Sequence, residues 1–243
     1  MKVALFIPCL VDQAAPETGR AVVKVLRRLG CRVVFDSSQT CCGQALFNMG
    51  FAREARLLAM RFIRVFDDAE VVVAPSGSCV SMVVHHYAEL DLPAPYISDW
   101  ESLRERVFEF CSFLTDRLGV VDVGARFPHR VAYHASCHLL RDLGVKDQPR
   151  RLLAAVEGLE PVEGNWGDEC CGFGGAFSVR YPALAGRIAE RRAEALARGG
   201  AEFVTGADDS CLHHLERAFR RANLPPKTIH IARILAARED PAP

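Results

Sequence analysis

Lysine is scarce in this 243-residue chain, four residues among thirty basic ones, and those thirty are balanced by thirty acidic residues. A chain without net charge has no global field to draw nucleic acid or an anionic membrane surface toward it, so neither is expected as a partner. Long apolar runs are also missing. No segment reaches the 18 or more apolar residues that a membrane span needs, and no membrane span is expected. The apolar start, Val3 to Val11, is short for a signal-peptide core, is interrupted by Pro8 and follows the single charge of Lys2, so it reads as a buried strand. There is no G-x-x-x-x-G-K phosphate loop, and the GFGG after Cys171 lacks the strand and spacing of a dinucleotide fingerprint, so no nucleotide or nicotinamide cofactor is indicated. Neither a ferredoxin run of closely spaced cysteines nor a C-x2-4-C zinc knuckle occurs.

What the chain does have is a core and cysteine. Half its residues are hydrophobic and a quarter charged, which excludes disorder as the main state. Ten cysteines need an explanation. With no secretory leader, the expected location is a reducing cytoplasm, where patterned cysteines point to metal or redox chemistry and away from a disulfide framework.

Eight of the ten fall into a pattern written twice. Cys9, the pair Cys41-Cys42 before Gly43, and Cys79 correspond to Cys137, the pair Cys170-Cys171 before Gly172, and Cys211, with offsets of 128, 129, 129 and 132 residues. The near-constant shift is the signature of a tandem duplication. Cys31 and Cys111 have no counterpart and read as small core residues. Secondary structure repeats in step. Strands are expected at 3–7 and 131–134, each running into the first cysteine of its copy. In the first copy a helix from about Glu17, with Val22, Val25, Leu26 and Leu29 on one face and Gly30 at its end, leads to a strand at 32–35. A helix over 50–67 and a strand over 71–74 then precede Cys79. The second copy predicts a helix near 149–157, a strand near Pro161-Val162, one helix from about Val179 to Arg198, and a strand over 202–205 before Cys211.

Strands alternating with helices imply an α/β protein of two tandem pseudo-repeated lobes, each a small parallel sheet with flanking helices. The expected organisation is a first cysteine-rich lobe over 1–110, a connecting helix and linker over 111–128, and a second cysteine-rich lobe over 129–243. Ligands in such sheets bind at the carboxyl ends of strands, where all eight repeated cysteines fall. Each copy is therefore expected to gather four thiols as metal or cluster ligands.

Four soft thiolates suit zinc or an iron-sulfur cluster. Adjacent cysteines, with Cα atoms about 3.8 Å apart, are awkward chelators of one small ion but can serve two irons of a larger cluster. Gly172, Gly174 and Gly175 would let backbone N–H groups approach cluster sulfides, whereas the first copy keeps only Gly43. Vicinal dithiol chemistry is the minor alternative, because disulfides between adjacent residues are strained.

Cys9…Cys41-Cys42-Gly43…Cys79 and Cys137…Cys170-Cys171-Gly172…Cys211 resemble the two CCG motifs found in the cysteine-rich subunit of heterodisulfide reductase and in the glycolate oxidase iron-sulfur subunit. With PSGSC at 75–79, YHASCH at 133–138 and CCGFGGAFSV at 170–179, the chain more closely resembles the lactate-utilisation protein A family over essentially its whole length. The resemblance implies an iron-sulfur electron-transfer subunit, with 4Fe-4S clusters as its expected cofactors, that acts in oxidising L-lactate to pyruvate. It also implies two co-encoded lactate-utilisation partners, one carrying ferredoxin-type clusters. The chain would then be an oxidoreductase subunit active only in a complex, and no catalytic residue is assigned. The alternatives are a redox subunit for another 2-hydroxy acid such as glycolate or for a heterodisulfide, and a zinc-stabilised interaction scaffold without redox chemistry.

The fullest form of the motif ends in C-x-x-C, and here the first cysteine of that pair is replaced by Ser76 and Asp208. Four thiolates per copy suit a 4Fe-4S cube or zinc, with zinc in one lobe as an option. They suit a noncubane cluster when an oxygen ligand or open site completes it. Asp208 is expected to cap the helix that carries Cys211. His134 and His138 bracket Cys137, His213 and His214 follow Cys211, and His85 and His86 follow Cys79; each is as readily structural as functional. Arg191-Arg192 and Arg220-Arg221 read as solvated helix faces.

Overall fold

A computed structural model describes residues 1–162 and 168–238. Residues 163–167 and 239–243, both inside the expected second lobe, lie outside the described residues. In chain order the first repeat contains β1 (Lys2–Leu5), α1 (Cys9–Ala14), α2 (Pro16–Arg28), β2 (Arg32–Val34), α3 (Gln44–Asn48), α4 (Ala52–Phe66), β3 (Val72–Ala74) and α5 (Gly77–Val84). It continues through α6 (Ala94–Arg104), β4 (Val107–Glu109) and α7 (Phe110–Ser112), the last extended by a π-helical turn at Phe113–Arg117. The second repeat opens with β5 (Arg130–Tyr133), a π-helical turn at His138–Asp142, α8 (Gln148–Ala154) and β6 (Glu160–Pro161). It ends with α9 (Ala176–Arg180), α10 (Pro182–Ala197), β7 (Phe203–Gly206), α11 (Asp209–Arg221), β8 (Lys227–His230) and α12 (Ile231–Ala236).

Two four-stranded parallel sheets result, ordered β2-β1-β3-β4 and β6-β5-β7-β8, which is the expected α/β architecture of two similar lobes. The local chemistry explains the elements. β3 is Val-Val-Ala and wholly buried, as a strand covered on both faces must be. On α2, Val22, Val25 and Leu26 form the expected inward stripe, and Gly30 ends the segment with φ of +77°. The helix expected over 179–198 is two helices. Tyr181 leaves helical geometry at φ −128° and ψ 58°, and Pro182 starts α10, where its missing N–H costs no hydrogen bond. The fourth strand of each sheet escapes the periodicity reading, because three or four residues running straight into a helix carry no alternation long enough to detect.

The two lobes are joined through a common core. α2 of the first repeat packs on α12 of the second, and the mirror contact sets α7 and its π turn against α8. Val3, Val22 and Leu26 share one apolar cluster with Phe113, Phe127, Val131, Leu152 and Ile234. Arg28 closes this seam, its guanidinium donating to the carbonyls of Val123, Leu235 and Ala236 at 2.8, 3.2 and 3.0 Å. A second pair of cross-contacts is also two-fold in character. α5, which carries Cys79, packs on the turn after Cys137, and α1, which starts at Cys9, packs on α11, which carries Cys211. The first of these requires Gly77, since a Cβ there would stand 2.8 Å from the Cβ of Leu139. Together these contacts turn the carboxyl edges of the two sheets toward each other.

Candidate metal centre

In both sheets the chain leaves the first strand in one direction for the second and in the other for the third, so the first and third strands flank a topological switch point. Each cysteine set is distributed over the three segments that meet there. Cys9 starts α1 after β1, Cys41-Cys42 lie in the loop after β2, and Cys79 sits in the first turn of α5 after β3. Cys137, Cys170-Cys171 and Cys211 repeat this after β5, β6 and β7. No member of either set follows a fourth strand.

The sulfurs of each set are linked in one chain of contacts. Cys9 Sγ lies 3.5 Å from Cys41 Sγ, and Cys42 interacts electrostatically with both Cys41 and Cys79. In the second lobe Cys137 interacts in the same way with Cys170, Cys170 with Cys171, and Cys171 with Cys211. A tight turn shapes each vicinal pair. Gly43 and Gly172 hold φ of +89° and +85°, which brings their N–H groups to 3.4 and 3.3 Å from the sulfurs of Cys41 and Cys170. Consecutive side chains then diverge, with Cys42 and Cys171 buried and their neighbours Cys41 and Cys170 toward the surface.

These contacts localise charge. Hydrogen bonds from Cys42 and Cys9, with the Gly43 N–H, hold the Cys41 thiol down to about 3, while the bond to Cys41 and then burial push Cys9 up. Cys170 is held at about 2 by Cys137 and Cys171, with smaller help from Gly172, and Cys137 and Cys171 are raised in return. Each set thus holds one thiol depressed beside others raised, a donor group that a cation can draw on.

Both sets line a single cavity of about 480 Å³ between the lobes, together with Ser76, Ser78, His138, Phe173 and Asp208. Ser76 and Asp208, the residues in place of a fifth cysteine, are bonded to each other. The Asp208 carboxylate accepts from the hydroxyls of Ser76 and Ser78, both at 2.8 Å, from the Ser78 N–H at 3.2 Å, and from Ser136 at 2.6 Å. The expectation that Asp208 caps α11 through its side chain is therefore corrected, since four donors from the facing lobe and from Ser136 claim the carboxylate. Ser76 does cap its helix, accepting from the Cys79 N–H at 3.3 Å.

The histidines divide. His138 Nδ1 is 3.7 Å from Cys137 Sγ, His214 Nε2 is bonded to the Ala185 carbonyl oxygen, and His86 pairs with Glu89 at 2.7 Å. His213 lines a neighbouring, separate depression. His134 is buried beside the second set, with a ring nitrogen and the sulfurs of Cys171 and Cys211 all within 4.8 Å of one another. Burial first, and the guanidinium of Arg192 second, hold its pKa down to about 3, so the ring is neutral. Arg192 overturns its reading as part of a solvated face, for it is 1% exposed while Arg191 is open to solvent. Cys31 and Cys111 lie in the common core, away from both sets.

Comparison with known proteins agrees with this picture. The profile of the CCG cysteine-rich domain matches twice, over residues 3–84 and 131–216. Lactate utilization protein A of Oceanobacillus iheyensis is 40% identical over 239 residues, spanning 97% of this chain and 96% of that protein. The chain belongs to the lactate utilization protein A family. Family members of Geobacillus kaustophilus, 40% identical over 98% of this chain and all of that protein, and of an Exiguobacterium species, 41% identical over 96% of each, match end to end as well. In this member two clustered sets of cysteine sulfurs, with low-pKa members and backbone N–H groups at their edge, line the cavity. That chemistry fits a metal ion or an iron-sulfur group. No helix among the described residues is long and apolar enough to cross a membrane.

Proposed function

We propose that the chain is an iron-sulfur electron-transfer subunit of a cytoplasmic complex that oxidises L-lactate to pyruvate, with Cys9, Cys41, Cys42 and Cys79 holding one centre and Cys137, Cys170, Cys171 and Cys211 the other. The observation that carries this reading is the single cavity faced by both thiol sets. Two four-sulfur groups opening on one space suit passage of electrons between two bound centres better than two separate structural zinc ions. The names of the relatives supply the substrate. A bound iron-sulfur group would supply one-electron redox chemistry, and the chain's own residues do the rest. The thiolates bind, the Gly43 and Gly172 N–H groups donate to sulfur, and the buried carboxylate of Asp208 ties the two lobes at the cavity floor.

Lactate oxidation moves two electrons with protons, so a partner that manages the hydride or protons and another with ferredoxin-type clusters complete the system. Val179, 81% exposed at the cavity rim, with Tyr181 and Leu184 beside it in sequence, gives such partners an apolar surface. Anaerobically purified protein is expected to be brown, with iron in excess of zinc. It should reduce no dye with lactate until the co-encoded partners are added, and Cys171→Ser should abolish that activity while leaving the far-ultraviolet circular dichroism unchanged. A colourless, zinc-only protein would establish the scaffold reading in its place, and lactate turnover by this chain alone would establish direct substrate chemistry.

A further inference from the structure

The duplication makes each lobe a control for the other, and at one place behind the cysteines the two differ in kind. The residue three before the first cysteine is Phe6 in the first lobe and His134 in the second. The helices behind them, α4 and α10, bury matching stripes, Ala55, Ala59, Phe62, Ile63 and Phe66 against Ala185, Ala189, Arg192, Ala193 and Leu196. Phe62 therefore corresponds to Arg192. In the first lobe the two positions form an edge-to-face aromatic pair with centroids 4.9 Å apart, and Phe66 adds a third ring. In the second they form a buried hydrogen bond, Arg192 Nε donating to His134 Nδ1 at 3.2 Å.

That bond fixes the imidazole tautomer. A guanidinium has only donors, so Nδ1 must be the acceptor, and the neutral ring carries its proton on Nε2. His134 Nε2 is buried and has no hydrogen-bond partner among the described residues. A buried N–H left unpaired is costly, and a protein avoids that cost when a group that arrives later accepts the bond. The ring stands against the Cys171 and Cys211 sulfurs. Ligation by His134 is disfavoured by the same bond, because a histidine ligating through Nε2 needs that nitrogen free of its proton, with the proton on Nδ1 donated outward.

We propose that the His134 Nε2–H donates a hydrogen bond to sulfur of the second-lobe centre, and that this donor, which the first lobe lacks, makes that centre the more easily reduced of the two. The inference rests on the iron-sulfur function proposed for both thiol sets. An N–H donated to cluster sulfur favours the reduced, more negative state, while the Phe6–Phe62 pair offers the first-lobe centre no such donor.

The test is a redox titration of cluster-loaded protein followed by electron paramagnetic resonance, in the full chain and in a Cys9→Ser background that isolates the second-lobe centre. His134→Phe, which reproduces the first-lobe residue, is expected to move that centre to lower potential with iron content unchanged. His134→Gln, which keeps an N–H, is expected to recover part of the shift. Unchanged potentials, or loss of the second lobe's iron from His134→Phe, would overturn the proposal, the latter by making His134 a ligand. Should His134→Phe fail to fold, electron spin echo modulation on wild-type protein with 15N-labelled histidine decides the matter. A weak nitrogen coupling, of hydrogen-bonded size, supports the donor role, and a ligand-sized coupling or none overturns it. Protein that takes up no iron in either lobe refutes the underlying iron-sulfur reading, whereas iron in both lobes with no effect of His134 refutes only this inference.

Discussion

Cys31 and Cys111 differ from the other eight cysteines by position alone, since all ten carry the same thiol. Both sit in the apolar core shared by the lobes, 7% and 0% exposed. Cys31→Ala and Cys111→Ala should each cost at most about 1–3 kcal/mol through a small cavity and leave iron content unchanged, measured by chemical denaturation and metal analysis. A second prediction at this scale concerns Glu109. Its carboxylate caps α7 by accepting from the N–H groups of Cys111 and Ser112 at 2.8 and 3.2 Å, yet complete burial raises its pKa from the ordinary 4.5 to about 8. The folded state therefore holds a proton that the unfolded chain has released between those values. The stability from Glu109 is full below about pH 4.5 and is lost as pH rises toward 8, by roughly 1 kcal/mol per pH unit. Denaturation midpoints measured across that window should fall in wild-type protein and fall less steeply in Glu109→Gln.

At the scale of elements, the loops after β2 and β6 share a design with unequal tolerance. Gly43 and Gly172 both have left-handed φ, so an alanine at either adds about 1–2 kcal/mol of backbone strain. The space around them differs. A Cβ at Gly172 would lie 2.7 Å from the Ala185 carbonyl oxygen and 2.9 Å from the Ile188 Cβ, whereas the nearest atom at Gly43, the Ala55 carbonyl oxygen, is 3.3 Å away. Gly172→Ala should lower the thermal midpoint clearly more than Gly43→Ala, and should impair iron retention in the second lobe by shifting Cys170 and Cys171. Equal effects would show that the loop against α10 yields more than its packing implies. The break at Tyr181 belongs to the same scale, because it lets α9 follow the cysteine loop while α10 keeps its packing against α11.

For the whole molecule the decisive fact is that each repeat completes the other's core. The buried stripe of α2 rests on Ile231, Ile234 and Leu235 of α12, more than 200 residues further along the chain, and Arg28 is bonded across the same seam. Burying each such aliphatic side chain contributes about 1.5–3 kcal/mol, so a fragment of residues 1–128 exposes more apolar surface than its small sheet can offset. That fragment is expected to show no cooperative unfolding, while the full chain unfolds in one transition seen identically by circular dichroism and tryptophan fluorescence. Two separated transitions would mean that the lobes fold independently.

Much of this protein was legible in its sequence. The duplication, the eight thiols and the strands that precede them are local features, and a spacing repeated across about 130 residues is visible without any contact being known. Parallel sheets followed from the alternation of short apolar runs with amphipathic helices, and the carboxyl-edge position of the cysteines followed from the sheets. Tertiary structure alone decided how the two edges meet. The facing of both thiol sets across one cavity, and the bond between Ser76 and Asp208, join residues 132 positions apart and leave no periodic trace. Arg192 shows the physical reason most plainly. Beside Arg191 on a charged helix it has the pattern of a solvated face, because a single cation's burial depends on what its partner helix and strand offer. Only with His134 folded against it does that position become polar interior.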